Sequence, residues 1–178
     1  MPFSAPPSDI SLPDPYLRKA LAYWQRKRGE RRMPRRVDID PVEIPDLLPY
    51  VRLADVVAPG QYRYRVVGTE VEQLHGGLKF YGRFVHEALP PPIANGVIPV
   101  YDACVRERRP VFLENTFLAS DRERVARHSR VLFLPLSEDD ETVSMVLVIQ
   151  MFVVMESRAT RPFDPWATRF VEIQRRVL

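Results

Sequence analysis

The chain has 178 residues with a net charge of +3, and 46% of its residues are hydrophobic. This composition excludes a wholly disordered chain and suffices for one domain with a buried core. Its only cysteine, Cys104, cannot form an intramolecular disulfide, so we expect a reducing, cytoplasmic setting. The first residues lack the apolar run of a secretory signal, and the most apolar window, 143–155, is shorter than the roughly 20 residues that span a bilayer. Neither secretion nor a membrane partner is expected.

The N-terminal part of the chain predicts a disordered segment followed by an amphipathic helix. Residues 1–14 are rich in proline and serine and are expected to lack fixed structure. Asp14 is suited to cap a helix that has Pro15 in its first position. An apolar stripe with helical spacing follows, formed by Leu17, Ala20, Leu21 and Trp24. We assign residues 15–36 to this helix and its basic exit, with Gly29 ending the helix.

Basic residues are concentrated in the segment 26–36. The candidates for anion binding within it are Arg28, Arg31, Arg32, Arg35 and Arg36. Such a cluster can contact the phosphates of nucleic acid or of an anionic nucleotide, which makes a phosphate-binding module the alternative function. A solvated helix end is the simpler interpretation, because cations are stabilised near a helix C-terminus.

The middle of the chain predicts two strands, a helical crossover and three more strands. The first two strands, 50–57 and 62–67, are joined by a Pro-Gly turn, and this hairpin places Asp55 opposite Arg65 to within one residue. Short helical pieces follow, the last of them over 94–107. The remaining strands are expected over 111–118, 127–136 and 142–154.

The last of these strands is apolar on both faces, so both faces of the sheet need a cover. The crossover helices can cover one face. The N-terminal amphipathic helix is suited to cover the other face, either within the chain or from a second copy. The C-terminal segment 157–178 has an amphipathic pattern and is predicted to be helical.

Several short motifs resemble those of one bacterial family. They are Tyr23-Trp24, Arg28-Gly29, Arg32-Met33-Pro34, Asp38-Ile39-Asp40-Pro41, Ile44-Pro45, Leu48-Pro49, Arg63-Tyr64-Arg65, Gly68-Thr69-Glu70, Gly82-Arg83 and Leu134-Pro135-Leu136-Ser137. With the order of elements, they make residues 16–156 similar to the short stand-alone bacterial PAS-domain family. The resemblance implies an α+β PAS fold with a five-stranded antiparallel sheet, a helical crossover on one face and the N-terminal amphipathic helix on the other. Residues 37–156 would form the PAS domain itself.

The resemblance also implies a sensory or regulatory role in which a small molecule or a protein partner binds. The expected cavity lies between the sheet and the crossover helices, and its candidate residues are Tyr64, Val66, Phe80, Tyr81, Phe84, Tyr101, Phe117, Phe133 and Leu147. Aromatic residues at such positions belong to a core more often than they contact a ligand. The segment 76–81 departs from the polar, acidic link usual in the family, which predicts a different ligand or none.

Cofactors and partners are less constrained by the sequence. No cofactor is required, and its identity is left unknown; haem is an alternative, because PAS domains that bind haem use a histidine on a crossover helix, a place open to His86. No spacing among the histidines groups two metal ligands, so no metal site is predicted. We expect output through a signalling protein partner, because no kinase, cyclase or DNA-binding segment fits beside the domain. We also expect a homodimer through the N-terminal helix.

The sequence lacks the motifs of common enzyme classes. It has no Gly-x-Ser-x-Gly, no phosphate-binding loop and no dinucleotide fingerprint. Cys104 and His128 would need a third group and oxyanion donors to act as a nucleophile and its base, and no pattern supplies them. We interpret Cys104 as a small buried hydrophobic residue and predict that the protein is not an enzyme.

Overall fold

A computed structural model describes residues 12–75, 77–118, 126–153 and 170–178. Its helices are α1 (Pro15–Arg28), α2 (Thr69–Leu74), α3 (Val85–Ala88) and α4 (Pro91–Glu107). Its strands are β1 (Val51–Ala58), β2 (Gln61–Val67), β3 (Val111–Leu118), β4 (Ala126–Leu136), β5 (Met145–Val153) and β6 (Phe170–Val177). Short 3₁₀ turns at Arg36–Asp38, Pro41–Glu43 and Leu48–Tyr50 connect α1 to β1.

The strands form one antiparallel sheet in the order β2-β1-β5-β4-β3-β6. The antiparallel prediction is confirmed, but the predicted count of five strands is wrong, because the described sheet has six. The sixth strand lies in the segment 157–178, which was predicted to be helical. It pairs with β3 from Val111↔Val177 to Phe117↔Phe170. This pairing satisfies the backbone groups that β3 would otherwise expose at the sheet edge, a tertiary effect that a local amphipathic pattern does not report.

Structure begins before the end of the N-terminal segment that the composition predicts to be disordered. Residues 1–11 of the predicted disordered segment lie outside the described residues. Leu12, however, is fully buried, and its carbonyl oxygen accepts a hydrogen bond of 2.6 Å from Arg18 Nη1. Asp14 caps α1 by accepting from the backbone N–H of Tyr16, as predicted. The helix itself ends at Arg28, so the rest of the predicted segment 15–36 is turn and 3₁₀ structure.

Strand alternation gives the sheet two faces, which we call inner and outer. Helix α4 packs on the inner face, where Tyr101 meets Phe133 edge to face at 5.0 Å. Helix α1 packs on β4 and β5, and its Trp24 Nε1 donates a 2.9 Å hydrogen bond to Pro135 O. Three residues of the apolar stripe of α1, Leu17, Ala20 and Trp24, are buried in this way within one chain, and Leu21 is half-buried. Dimerisation through α1 stays a prediction, and it would have to use the opposite, polar side of the helix.

The hairpin of β1 and β2 forms the predicted charge pair, but the predicted register is wrong by two residues, because Asp55 lies opposite Arg63. Arg65 Nε lies 2.7 Å from Asp55 Oδ2. The register contains a bulge, because Leu53 pairs with Val66 whereas the next residue, Ala54, pairs with Tyr64. The extra residue on β2 reverses the direction of the side chains beyond it. This bulge decides where one predicted cavity residue lies.

The Gly-Thr motif after β2 reflects a close approach of the backbone. A Cβ atom on Gly68 would lie 2.2 Å from Pro49 O, and the Gly68 N–H donates a 2.7 Å hydrogen bond to Val51 O. Only glycine leaves room for this contact. It fixes the start of α2, the helix that carries His75 at its C-terminal end.

Candidate ligand-binding site

A small cavity lies on the inner face, between the sheet and α4. Its polar lining residues are Arg52, His75, Asn115 and Gln150, and its apolar lining residues are Leu89, Ile93, Val97, Leu113, Phe117, Val131 and Phe170. The space open to the centre of a water molecule is about 10 Å³. That is about the room one water needs, so a larger ligand requires the walls to move.

The polar lining comes from neighbouring strands and from the end of one helix. Arg52 lies on β1, Gln150 on β5 and Asn115 on β3, each at an inward-facing position of its strand. Ser129 on β4 donates a 2.9 Å hydrogen bond to Asn115 Oδ1 and so orients the Asn115 side chain. The sheet therefore supplies a rigid polar floor, which suits a site that must keep a fixed geometry.

His75 is buried in an aromatic setting. Its ring stacks on Phe117 at 4.7 Å and meets Phe80 edge to face at 5.5 Å. His75 Nε2 lies 3.3 Å from Gln150 Oε1, and Nδ1 has no hydrogen-bond partner. Burial lowers the pKa of His75 to about 3, and the positive charge of Arg52 adds to this effect. The imidazole is therefore neutral near pH 7.

Arg52 is the most unusual residue of the cavity, because it is only 1% exposed. Its Nε and Nη2 atoms are buried and make no hydrogen bond. Within the described part of the chain, no carboxylate forms an ion pair with it. Nearby, the hydroxyls of Tyr64 and Tyr101 lie close to each other, and that of Tyr64 also lies close to Arg52, although these contacts lack the geometry of a well-formed hydrogen bond. Burial raises the pKa of both tyrosines, and the charge of Arg52 opposes that rise.

The predicted cavity residues divide into several groups. Phe117 lines the cavity. Four others are buried without lining it: Tyr64, Phe80, Tyr101 and Phe133. Phe84 is half-buried and stacks on His86 at 5.5 Å. Contact of any of these residues with a ligand stays a prediction.

Three of the predicted residues lie away from the cavity, each for a physical reason. Val66 is 46% exposed, because the bulge in β2 turns its side chain away from the inner face. Leu147 pairs with Leu53 and Leu134, and strand alternation from the cavity residue Gln150 places it on the outer face. Tyr81 is 77% exposed in the turn before Gly82, whose φ is +76°.

The basic cluster is part of a network on the outer side of the molecule. We call residues 28–36 and the turn 137–140 the outer clamp. In it, Arg31 Nη2 donates to Ser137 O at 2.9 Å, and Asp140 Oδ1 accepts from the N–H groups of Arg32 and Met33 at 2.9 and 3.0 Å.

The other candidate arginines of the outer clamp also have partners within the chain. Arg35 pairs with Asp38 at 3.2 Å, and the Arg36 N–H donates to Glu138 Oε1 at 3.1 Å. Arg28 Nη1 donates to Arg31 O at 2.8 Å. These contacts give the cluster a structural role, while anion binding by it stays a prediction.

The haem alternative does not fit these residues. His86 is exposed on α3 and does not line the cavity. The histidine that does line it, His75, sits in a space of about 10 Å³, far too small for a porphyrin. Among the described residues, no group of His, Cys, Asp and Glu could hold a metal ion.

Cys104 and His128 lie in separate environments. Cys104 is buried on α4, and burial raises the pKa of its thiol. His128 Nε2 lies 2.9 Å from Glu114 Oε1, which Arg130 Nε also contacts at 2.9 Å. The structure therefore supports the interpretation of Cys104 as a small buried hydrophobic residue.

Sequence reasoning missed the polar floor of the cavity. Arg52, Asn115 and Gln150 were not among the candidates, and His75 was considered only as a metal ligand. A signal was present, because Gln150 interrupts a strand that is otherwise apolar on both faces, and Arg52 lies between Val51 and Leu53 in a predicted strand. A polar residue within a fully covered strand is the observation that could have identified the site.

Comparison with known proteins gives one family and one fold. Residues 13–150 match the sequence model of a family described as PAS domain. The PAS domain of BvgS from Bordetella pertussis has a similar fold, with a TM-score of 0.51 and 16% sequence identity, over 65% of this chain and 84% of that one. No curated protein matches the chain. Over the described residues, no helix is long and apolar enough to cross a membrane.

Proposed function

This chain belongs to the PAS domain family, whose members are sensory and regulatory modules, and we propose that it senses a small molecule bound in the inner cavity. One observation carries the proposal: the buried side chains of Arg52 and His75 have polar atoms without hydrogen-bond partners, and both line a cavity whose other walls are mostly apolar. Unsatisfied buried polar groups are rare in folded proteins and cost stability. A ligand that supplies their partners would recover that stability, which is the usual basis of recognition in a largely apolar cavity.

The last strand offers a way to transmit binding. Phe170 on β6 lines the cavity, and a Cβ atom on Gly96 of α4 would lie 2.2 Å from its ring. Strand β6 lies beyond the family match, which ends at residue 150. A ligand that pushes Phe170 outward would shift the equilibrium between two packings of β6 on β3. In this proposal a signalling protein partner reads that shift and supplies the output, without catalysis by this chain.

Native mass spectrometry of freshly purified protein tests the proposal, since it detects a retained small molecule directly. We expect an added mass that disappears in Val97→Phe, in which a larger side chain fills the cavity wall. Overpacking of this kind costs about 1–3 kcal/mol, so the variant should remain folded. Val66→Phe is the matched control, because Val66 is exposed outside the cavity and its variant should keep the added mass.

Two results would count against a ligand in this cavity. One is the absence of any retained mass, together with no stabilisation by a library of small molecules. The other is a retained mass that is the same in Val97→Phe and in the wild type, since that molecule would be bound elsewhere.

A further inference from the structure

The inner cavity contains a positive charge that no acidic side chain among the described residues neutralises. The guanidinium of Arg52 is 1% exposed, and no acidic side chain within the described ranges pairs with it. Arginine remains charged at all physiological pH values. A buried charge without a partner is strongly destabilising, and proteins normally pair such groups. An anion that enters the cavity would therefore gain a strong interaction.

The positions of the two unpaired nitrogen atoms of Arg52 limit which kind of anion can bind. Nε and Nη2, the two atoms of Arg52 without partners, lie on the same edge of the guanidinium. Two parallel N–H groups on one edge match the two oxygens of a carboxylate, which accepts them as a bidentate pair. These two parallel N–H groups therefore favour a planar carboxylate over a single-atom anion such as chloride.

The surroundings of Arg52 limit the size and polarity of the ligand. The buried hydroxyls of Tyr64 and Tyr101 are near enough for the charge of Arg52 to affect their pKa, but these two residues do not line the cavity. Apart from His75, Asn115 and Gln150, the remaining walls are aliphatic or aromatic, from Ile93, Val97 and Leu113 among others. This lining suits a short hydrocarbon chain and offers no second charge for a dicarboxylate.

One wall is able to give way. Among the apolar lining residues, Phe170 alone is half-buried, whereas the others are buried. Its outward movement would enlarge a cavity that now has room for about one water molecule. The ligand must still be small, because α4 and the sheet close the other sides.

We propose that the ligand is a short aliphatic monocarboxylate, of the size of acetate to butyrate, whose carboxylate binds Arg52 and whose chain lies against α4. This inference rests on the proposed function and names its ligand class.

Thermal unfolding with matched small molecules tests the ligand class. Sodium propionate is compared with propionamide, which has the same shape without the charge, and with sodium chloride and sodium phosphate at equal ionic strength. We expect propionate alone to raise the unfolding midpoint, by about 3 °C or more for each tenfold increase in concentration above the dissociation constant. Equal shifts with propionamide, a larger shift with phosphate, or no shift with any carboxylate would overturn the inference.

Two variants locate the effect. Arg52→Met removes the charge with little change in volume and should abolish the shift produced by propionate. Arg32→Ala removes an exposed arginine of the outer clamp and should keep it. A propionate shift that persists in Arg52→Met would assign the anion to another site. If Arg52→Met does not fold, Arg52→Lys keeps a charge but loses the bidentate edge, and its shift should be smaller than that of the wild type.

The two proposals fail in different ways. A neutral molecule that is retained by the wild type and lost from Val97→Phe, while no carboxylate stabilises the protein, would keep the sensing function and reject the ligand class. No retained molecule and no stabilising compound of any kind would reject both.

Discussion

The outer clamp and the inner cavity both contain arginine, but they satisfy its charge in opposite ways. In the outer clamp, Arg31 donates to backbone carbonyls, lies 3.9 Å from Asp140 and remains partly exposed. In the inner cavity, Arg52 is buried, and two of its nitrogen atoms have no partner. Paired, partly exposed arginines hold two segments together, whereas a buried unpaired arginine raises the energy of the unliganded fold.

The difference shows that the basic cluster 28–36, the most noticeable charge of this sequence, makes structural contacts within the chain. The outer clamp contains motifs of the family signature, and its contacts join the end of α1 to the turn between β4 and β5. Tyr23, which also belongs to a signature motif, likewise makes a structural contact, because its hydroxyl accepts a 2.8 Å hydrogen bond from the Asp40 N–H. Arg52, by contrast, is buried with two unpaired nitrogen atoms, and it lies outside every motif that carries the resemblance.

The largest expected effect concerns the packing of helix α1, which leads into the outer clamp, on the sheet. Trp24→Ala removes a buried indole and its hydrogen bond to Pro135 O, and should lower the free energy of unfolding by about 3–5 kcal/mol. Urea titration followed by circular dichroism measures the loss. Tyr16→Ala, on the exposed side of the same helix, should change stability by less than about 1 kcal/mol. Similar losses for both variants would mean that α1 is not held through Trp24.

The second effect is a pH dependence that arises in the inner cavity. Burial lowers the pKa of His75 to about 3, below the ordinary value of about 6.5 that holds in the unfolded chain. The unfolded chain therefore binds more protons between these values, so stability is complete above about pH 6.5 and falls as pH decreases toward 3. At pH 4.5 the loss attributable to His75 should be about 2–3 kcal/mol.

Urea titrations of the wild type and His75→Gln at pH 7 and 4.5 measure this dependence. The variant should lose less stability between the two pH values. A hydrogen bond from Arg35 lowers the pKa of Asp38, and backbone hydrogen bonds from Thr142 and Glu141 lower that of Asp139. Both proteins share these carboxylates, so their contributions cancel in the comparison. Identical pH dependence in the two proteins would contradict a buried, neutral His75.

The smallest expected effect is a change in the free energy of unfolding when one arginine of each region is replaced. It is the most specific test, because the sign of the change should differ between the two regions. Arg31→Met removes hydrogen bonds to the carbonyls of Ser137 and Glu138 and should lower the free energy of unfolding by about 1–2 kcal/mol. Arg52→Met, measured without ligand, removes an unpaired buried charge and should leave stability unchanged or raise it by about 1 kcal/mol. Parallel urea titrations compare the two. A large loss in Arg52→Met would indicate that its charge is compensated in the unliganded protein.

Local patterns predicted the parts of the fold that local physics determines. The apolar stripe of α1, the β1–β2 hairpin and the pairing of Asp55 with Arg65 followed from spacing and turn chemistry. Strand β6 did not, because its pairing with the edge of β3 is a long-range contact and its own pattern is compatible with a helix.

The site was less predictable than the fold, because side-chain direction depends on details that composition does not report. One bulge in β2 turns Val66 to the outer face. Leu147 lies one position from Val148, which shares the inner face with the cavity residue Gln150. Arg52 was overlooked because an arginine in a strand is normally exposed. Its position is unusual because the inner face of the sheet is covered, which buries the side chain.

The central claim is that recognition occurs at Arg52 in the inner cavity and not at the arginines of the outer clamp. Titration of ¹⁵N-labelled protein with propionate, followed by two-dimensional NMR, tests it most directly, because each backbone amide reports on its own surroundings. We expect shifts at Arg52, His75, Asn115 and Gln150, with residues 28–36 unchanged. Shifts confined to residues 28–36 would contradict the account.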